Sequence, residues 1–88
     1  MRTIWKYPLP KPGKTLTHEI PRTWSIVHVG LQNGDAMLWA DIVDTDGPLL
    51  LRKFLCFGTG FNIPRDVSHV GTVIDDGGFV WHFYLEPL

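Results

Sequence analysis

The sequence predicts an all-β domain, a small antiparallel sandwich or partly open barrel of about six to seven short strands with little or no helix. Three observations support this prediction. Apolar and polar residues alternate in several short runs, which is typical of strands. All seven prolines and seven of the nine glycines fall outside these runs, where they suit turns. No apolar stripe of helical spacing continues over three turns of helix.

The alternating runs define the expected strands. They cover residues 2–7, 15–20, 24–31, 36–43, 49–57, 67–74 and 79–85. Both faces of the run at 24–31 are apolar, so we expect that strand to be buried on two sides. Gly71 marks an expected bulge. A single turn of helix over 64–68 is the one helical alternative.

Local chemistry identifies the connections between these strands. Asn33-Gly34 predicts a two-residue hairpin, because both central residues of a type I′ turn need positive φ. The segment Asp75-Asp76-Gly77-Gly78 predicts a second hairpin turn. The Pro-rich segment 8–13 predicts a connector, since proline lacks the N–H that a sheet ladder requires, with an interaction arm as the alternative.

Length and composition limit the class of protein. Eighty-eight residues suit one domain, residues 1–88, and four Trp, five Phe and two Tyr supply a dense core. The formal charge of -1 provides no basic face, so nucleic acid is disfavoured as a partner. A single cysteine and an N-terminus without an apolar signal segment indicate a cytoplasmic protein. No apolar run approaches the roughly 18 residues of a membrane span.

No motif of a catalytic or metal site is present, so we expect no enzyme, no cofactor and no metal. The four histidines lack the spacings of metal-binding motifs. Cys56 lies in an apolar strand, where a thiol is usually inert and part of the core. Asp75 and Asp76 precede two glycines and are interpreted as turn formers, with a hydrolase that uses them and a histidine as the alternative.

The segment Gly58-Thr59-Gly60 is best suited to bind a small ligand. Its glycines let backbone N–H groups converge on an anion without an obstructing Cβ. Asn62, Arg65 and His69 follow, and they would add donors to a phosphate or carboxylate. The favoured interpretation is that the glycines only let the strand turn, and the ligand site is the alternative. Arg65 or His69 close to the loop amides would favour the ligand.

The surplus of aromatic residues predicts a protein-binding surface. Trp5, Tyr7, Trp39 and Tyr84 do not all fit inside so small a core, and exposed aromatic patches mark such surfaces. We take Trp39 and Tyr84 as the candidate contacts. Free strand edges are often covered by dimerisation, so a homodimer and a monomer are both open.

Six segments together carry a family resemblance over almost the whole chain. They are Ile4-Trp5-Lys6-Tyr7, Gln32-Asn33-Gly34 with Leu38-Trp39-Ala40, Gly58-Thr59-Gly60, Gly71-Thr72-Val73 and Val80-Trp81-His82-Phe83. In these segments the chain resembles a family of small uncharacterised proteins found mainly in bacteriophages and prophages. The resemblance implies a phage accessory protein with no established activity, and it implies nothing about catalytic residues.

A phage origin bears on the expected partner. Small nonenzymatic phage proteins often occlude or sequester host components, including defence proteins and the nucleotides that signal to them. The resemblance therefore favours noncovalent binding of a host or phage protein in the host cytosol, with a counter-defence role. The alternative is a binder that sequesters a phosphorylated or nucleotide ligand at the loop of residues 58–60.

Overall fold

The computed structural model describes residues 1–88 and contains strands without any helix. The seven strands are β1 (Thr3–Pro8), β2 (Thr15–Pro21), β3 (Trp24–Gln32), β4 (Asp35–Ile42), β5 (Leu49–Gly58), β6 (Ser68–Ile74) and β7 (Val80–Leu85). Each end lies within one residue of the prediction. At 64–68, where a turn of helix was the alternative, the chain makes a simple turn at Arg65 and Asp66.

The strands form two antiparallel sheets that pack face to face, which confirms the predicted all-β sandwich. One sheet has the order β1-β4-β3 and the other the order β2-β5-β7-β6. Since β5 and β6 are both antiparallel to β7, they run parallel to each other. The connection 59–67 therefore carries the chain from one end of the four-stranded sheet back to the other.

The core lies between the two sheets and follows the alternation of the sequence. In β4 every second residue is buried, whereas the intervening residues face outwards. β5 and β7 contribute the facing aromatic and sulfur side chains. The buried apolar residues are Leu9, Ile20, Ala36, Leu38, Ala40, Ile42, Phe54, Cys56, Val73 and Phe83. Cys56 is thus a core residue, as predicted.

The hairpin turns form as their residues dictate. Asn33 and Gly34 adopt φ angles of 53° and 83°, and Gln32 pairs directly with Asp35, so the two-residue turn is confirmed. Gly71 sits at a register shift in β6, which confirms the expected bulge. A Cβ at Gly71 would lie 2.7 Å from Cβ of Val29 in β3, so the bulge also allows the two sheets to approach at this side.

The expectation that β3 is buried on two sides is wrong. β3 is an edge strand of the three-stranded sheet, and its register shifts between Ile26 and His28. Ile26 and Val27 are 44% and 51% exposed at this irregularity. Apolar residues on both faces of β3 therefore do not mean that another layer covers each face.

The strand directions gather four connections at one end of the sandwich, which we call the loop end. These connections are residues 9–14, 33–34, 59–61 and 75–79. The connector 9–14 is held there because the Leu9 N–H donates to the Ala36 carbonyl and the Gly13 N–H to the Cys56 carbonyl, each at 2.9 Å. Residue 1 lies at the opposite end, because β1 starts beside the end of β4 that is remote from these turns, and residue 88 follows the end of β7 that points away from them.

No helix able to span a membrane occurs in the structure.

Candidate functional site

The largest concave surface lies at the loop end, and we call it the groove. It encloses about 700 Å³ between the loop after β5 and the β6–β7 turn. Clefts of about 300–1,000 Å³ are typical of ligand sites. The lining consists of Pro12, Gly58, Thr59, Phe61, Asp75 and the segment 78–81.

Gly58 and Gly60 build one wall of the groove by placing Phe61. The Phe61 N–H donates to the Gly58 carbonyl at 3.1 Å, and Gly60 has a φ of 90°, the arrangement of a type II turn. A Cβ at Gly58 would lie 3.0 Å from the Phe61 ring, so the ring rests directly on the backbone of Gly58. The glycine loop therefore serves to present an aromatic ring.

Asp75 builds the other wall. Its Oδ1 accepts the N–H groups of Gly77 and Phe79, each at 2.9 Å, which closes the turn. Its Oδ2 accepts the indole Nε1–H of Trp81 at 3.1 Å. Asp75 is thus a turn former, as predicted, and it also fixes the Trp81 ring in the groove.

Two exposed phenylalanines flank the groove. Phe61 is 52% exposed and Phe79 is 72% exposed. Each follows directly after a glycine-containing turn, where polar residues are the usual occupants. Sequence analysis missed both residues. A large apolar residue immediately after Gly60 and again after Gly78 was the signal that would have identified them.

A chain of four hydrogen-bonded side chains leads away from the groove over the outer face of the four-stranded sheet. Thr59 Oγ1 lies 2.9 Å from Nε2 of His82, and Nδ1 of His82 lies 3.1 Å from Oγ1 of Thr72. The Thr72 hydroxyl is in turn 3.0 Å from Nε2 of His69. Since a neutral imidazole donates at one nitrogen and accepts at the other, a single direction of donation along the chain satisfies all three hydrogen bonds.

The contact between Thr59 and His82 has the distance of a nucleophile and its base. The second nitrogen of His82, however, is bonded to the neutral hydroxyl of Thr72. A carboxylate in that position would stabilise the imidazolium that base action produces, as in a serine hydrolase triad. The chain is better suited to anchor the start of the 59–67 connection on β7.

The structure separates the residues predicted for a ligand site. Gly58, Thr59 and Gly60 lie at the loop end, but β6 starts at the opposite end, which takes Arg65 and His69 away from the loop amides. His69 reaches Thr59 only through the two intervening side chains. Asn62 and Arg65 are exposed, and neither side chain makes a hydrogen bond or ion pair within the protein.

Trp39 and Tyr84 lie on opposite outer faces of the sandwich. Trp39 is half-buried beside His28, with ring centroids 5.6 Å apart. Tyr84 is half-buried between Phe57 and His69, at 5.6 Å and 5.3 Å. The two predicted contact residues therefore do not form one surface.

The charged residues that line the concave surface at the loop end are acidic, and the two lysines of that end lie in the connector 9–14, outside the lining. A second concavity of about 450 Å³ adjoins the groove, and the two share Asp75 and Trp81 in their linings. Asp76 lies in the second concavity. No Lys, Arg or His lines either one. The three ion pairs of the molecule involve Asp41, Asp44 and Glu86, so Asp75 and Asp76 belong to none of them.

Comparison with known proteins gives one match. No curated protein sequence and no solved structure matches the chain. The sequence profile described as "Domain of unknown function (DUF7352)" matches residues 1–88. Since this match spans the full length of the sandwich, with both walls of the groove, the chain belongs to the DUF7352 family.

Proposed function

We propose that this protein is a small phage accessory protein that binds a host or phage protein noncovalently, with the groove as its principal contact. The observation that carries the proposal is the pair of exposed rings, Phe61 and Phe79, on the two walls of one groove. Exposed aromatic side chains around a concave apolar surface are characteristic of protein-binding hot spots.

The build of the groove supports a binding role. Exposing two phenylalanines to water is unfavourable by the free energy that their burial would release, about 25 cal/mol per Å² of apolar surface. Two turns with special backbone geometry nevertheless hold these rings outwards. Gly58 and Gly60 shape one turn and Asp75 the other, and none of the three adds to the core.

The alternative, a phosphorylated or nucleotide ligand at Gly58-Thr59-Gly60, has weaker support. An anion site needs convergent donors or a cation. The Phe61 N–H is already bonded to Gly58 and the Thr59 hydroxyl to His82. The nearest charged group in the lining is the Asp75 carboxylate, which repels an anion.

The proposed biological role follows from the phage resemblance and from binding without chemistry. A protein of this size that covers a functional surface of a host protein inhibits it by occlusion. Host defence proteins are the class of target that such occlusion suits, and the site of action is then the host cytosol.

Affinity capture with matched variants tests the proposal. The protein, immobilised through a tag, is exposed to lysate of the bacterium that carries the gene, before and after phage induction. We expect specific proteins to be enriched. The Phe61→Ala/Phe79→Ala double variant should capture at least about tenfold less of them, since a hot-spot aromatic contributes about 2 kcal/mol or more.

Leu51→Ala is the matched control, because Leu51 is an aliphatic residue 68% exposed on the outer face of β5, away from the groove. Trp39→Ala and Tyr84→Ala test the two outer faces. Equal capture by the double variant and the wild type would refute the groove as the contact. Loss of capture with Trp39→Ala or Tyr84→Ala alone would show that the contact lies on the outer face that carries the substituted residue. A thermal shift with nucleotides would instead favour the small-ligand alternative.

A further inference from the structure

We propose that the groove takes an extended protein segment in which an arginine or lysine stands next to an apolar residue. This inference rests on the proposed function and specifies the chemistry of the partner. The apolar side chain would pack between Phe61 and Phe79, and the basic head group would lie at Asp75 and Asp76.

The acidic pair in the two concavities complements the charge of a basic side chain. Asp75 and Asp76 stand side by side where the groove meets the second concavity, and neither lining contains a cation. All three hydrogen bonds that the Asp75 carboxylate accepts come from neutral N–H groups, so they satisfy its oxygens without neutralising its charge. A basic group from outside would provide the missing opposite charge.

These two carboxylates can accept further hydrogen bonds from a partner. An ionised carboxylate accepts about four hydrogen bonds. Asp75 Oδ1 accepts two and Oδ2 accepts one, which leaves Oδ2 with room for one more donor. The Asp76 carboxylate is exposed and accepts no hydrogen bond from the protein. Together they offer enough acceptors for the donor fork of an arginine.

The Trp81 ring and the Asp75 carboxylate together suit the two parts of a basic side chain. The bond between Trp81 Nε1 and Asp75 Oδ2, 3.1 Å long, holds an indole and an acid in a fixed relation in both concavities. Lysine and arginine lay their methylene stems along apolar surface while the charged head seeks a polar partner, and both cations are attracted to aromatic faces. Such a surface accommodates both parts of one side chain.

The size of the surface favours a protein segment over a free organic cation. The groove and its neighbour enclose about 700 Å³ and about 450 Å³. One amine would occupy a small part of this space and would leave both phenylalanine rings in water. An extended segment fills both concavities.

Selection from a random peptide library displayed on phage tests the inference with the full-length protein as bait. We expect the selected peptides to carry Arg or Lys beside an apolar residue. Amide chemical shifts should then change at Phe61, Phe79 and Asp76 when a selected peptide is added. Asp76→Asn should lower the affinity for the peptides about three- to tenfold. The loss should be larger at low salt, because salt screens exposed charge pairs.

Asp66→Asn is the matched control, since Asp66 is another exposed, unpaired acid, and it should leave the affinity unchanged. Peptides that depend on Phe79 but lack a basic residue, or are indifferent to Asp76→Asn, would overturn this inference and leave the proposed function intact. A library without any peptide that depends on Phe79 would count against both. Spermidine that displaces the peptides and shifts the same amides would identify a small cation as the occupant and overturn the protein segment.

Discussion

At the scale of single residues, Thr72 shows how one hydroxyl organises a surface. It lies between His69 on its own strand and His82 on β7, and it bonds to both. Through His82 it holds Thr59, which lines the groove. The position of the groove wall thus depends on a residue that does not itself reach the groove.

Thr72→Val tests this dependence, because it removes the hydroxyl and keeps the shape of the side chain. We expect the free energy of unfolding to fall by about 0.5–1.5 kcal/mol, the contribution of a typical hydrogen bond, as measured by urea denaturation. Nitrogen-15 spectra of the His82 ring should change from one tautomer to a mixture. The control is Thr17→Val, because Thr17 lies in β2 on the same outer face of the four-stranded sheet. Equal changes in both variants would contradict the role of Thr72.

Single residues also show where prediction from sequence stops. The two glycines of the loop 58–60 and the pair Asp75-Asp76 could be identified as turn formers, because turn chemistry is local. Phe61 and Phe79 could not be placed on one groove, since their meeting depends on which strands are neighbours. The convergence of Arg65 on the glycine loop, which would have favoured a ligand site, is not present, because the chain between them runs the length of the sheet.

At the scale of elements, the seven strands were predictable within one residue, and their neighbours were not. Alternation and turn residues define where a strand starts and ends. They contain no information on whether a strand lies at an edge. β3 illustrates the limit, since both of its faces are apolar and its bulge shifts the alternation midway, yet it is an edge strand.

Gly71 lies at a close approach between two edge strands, β3 and β6. Gly71→Ala places a Cβ 2.7 Å from Cβ of Val29, where only backbone movement relieves the contact. We expect the free energy of unfolding to fall by about 1–3 kcal/mol, as overpacking does in cores. Ile74→Ala, at a 66% exposed position of the same strand, should change it by less than about 0.5 kcal/mol. A Gly71→Ala protein as stable as the wild type would show that the sheets are not in contact there.

At the scale of the whole molecule, the sandwich leaves few edges on which another strand can add. β3 and β6 are packed beside each other, while β1 and β2 each end in a proline, Pro8 and Pro21, which lacks the N–H for a ladder. A homodimer, one of the two assemblies that the sequence predicts, would therefore form through an outer face, the loop end or the remaining edges of β1 and β2. Native mass spectrometry of the wild type and of the Phe61→Ala/Phe79→Ala variant distinguishes these routes.

The stability of the whole sandwich should depend on pH through Cys56. Burial raises the pKa of this thiol from 9.0 to about 11. The folded protein keeps the proton where the unfolded chain loses it, so stability is full below about pH 9 and falls as the pH rises towards 11. At about 1.4 kcal/mol per pKa unit, the loss approaches 3 kcal/mol.

Urea denaturation between pH 8 and pH 11 measures this loss. Cys56→Ala is the control, because it removes the thiol and should flatten the pH dependence in this range, whatever its effect on stability at pH 8. A residual decline at the upper end is expected from Tyr7, whose pKa burial also raises. An unchanged slope in the Cys56→Ala protein would contradict the assignment.

The placement of residues 1 and 88 opposite the loop end has a practical consequence. β7 starts at the groove and spans six residues, roughly 20 Å, before it reaches the far end. A tag, surface anchor or fused fluorescent protein at either terminus therefore points away from the two phenylalanines. Bait tethered through either terminus presents the same open surface, so captures with the two orientations serve as replicates of one another.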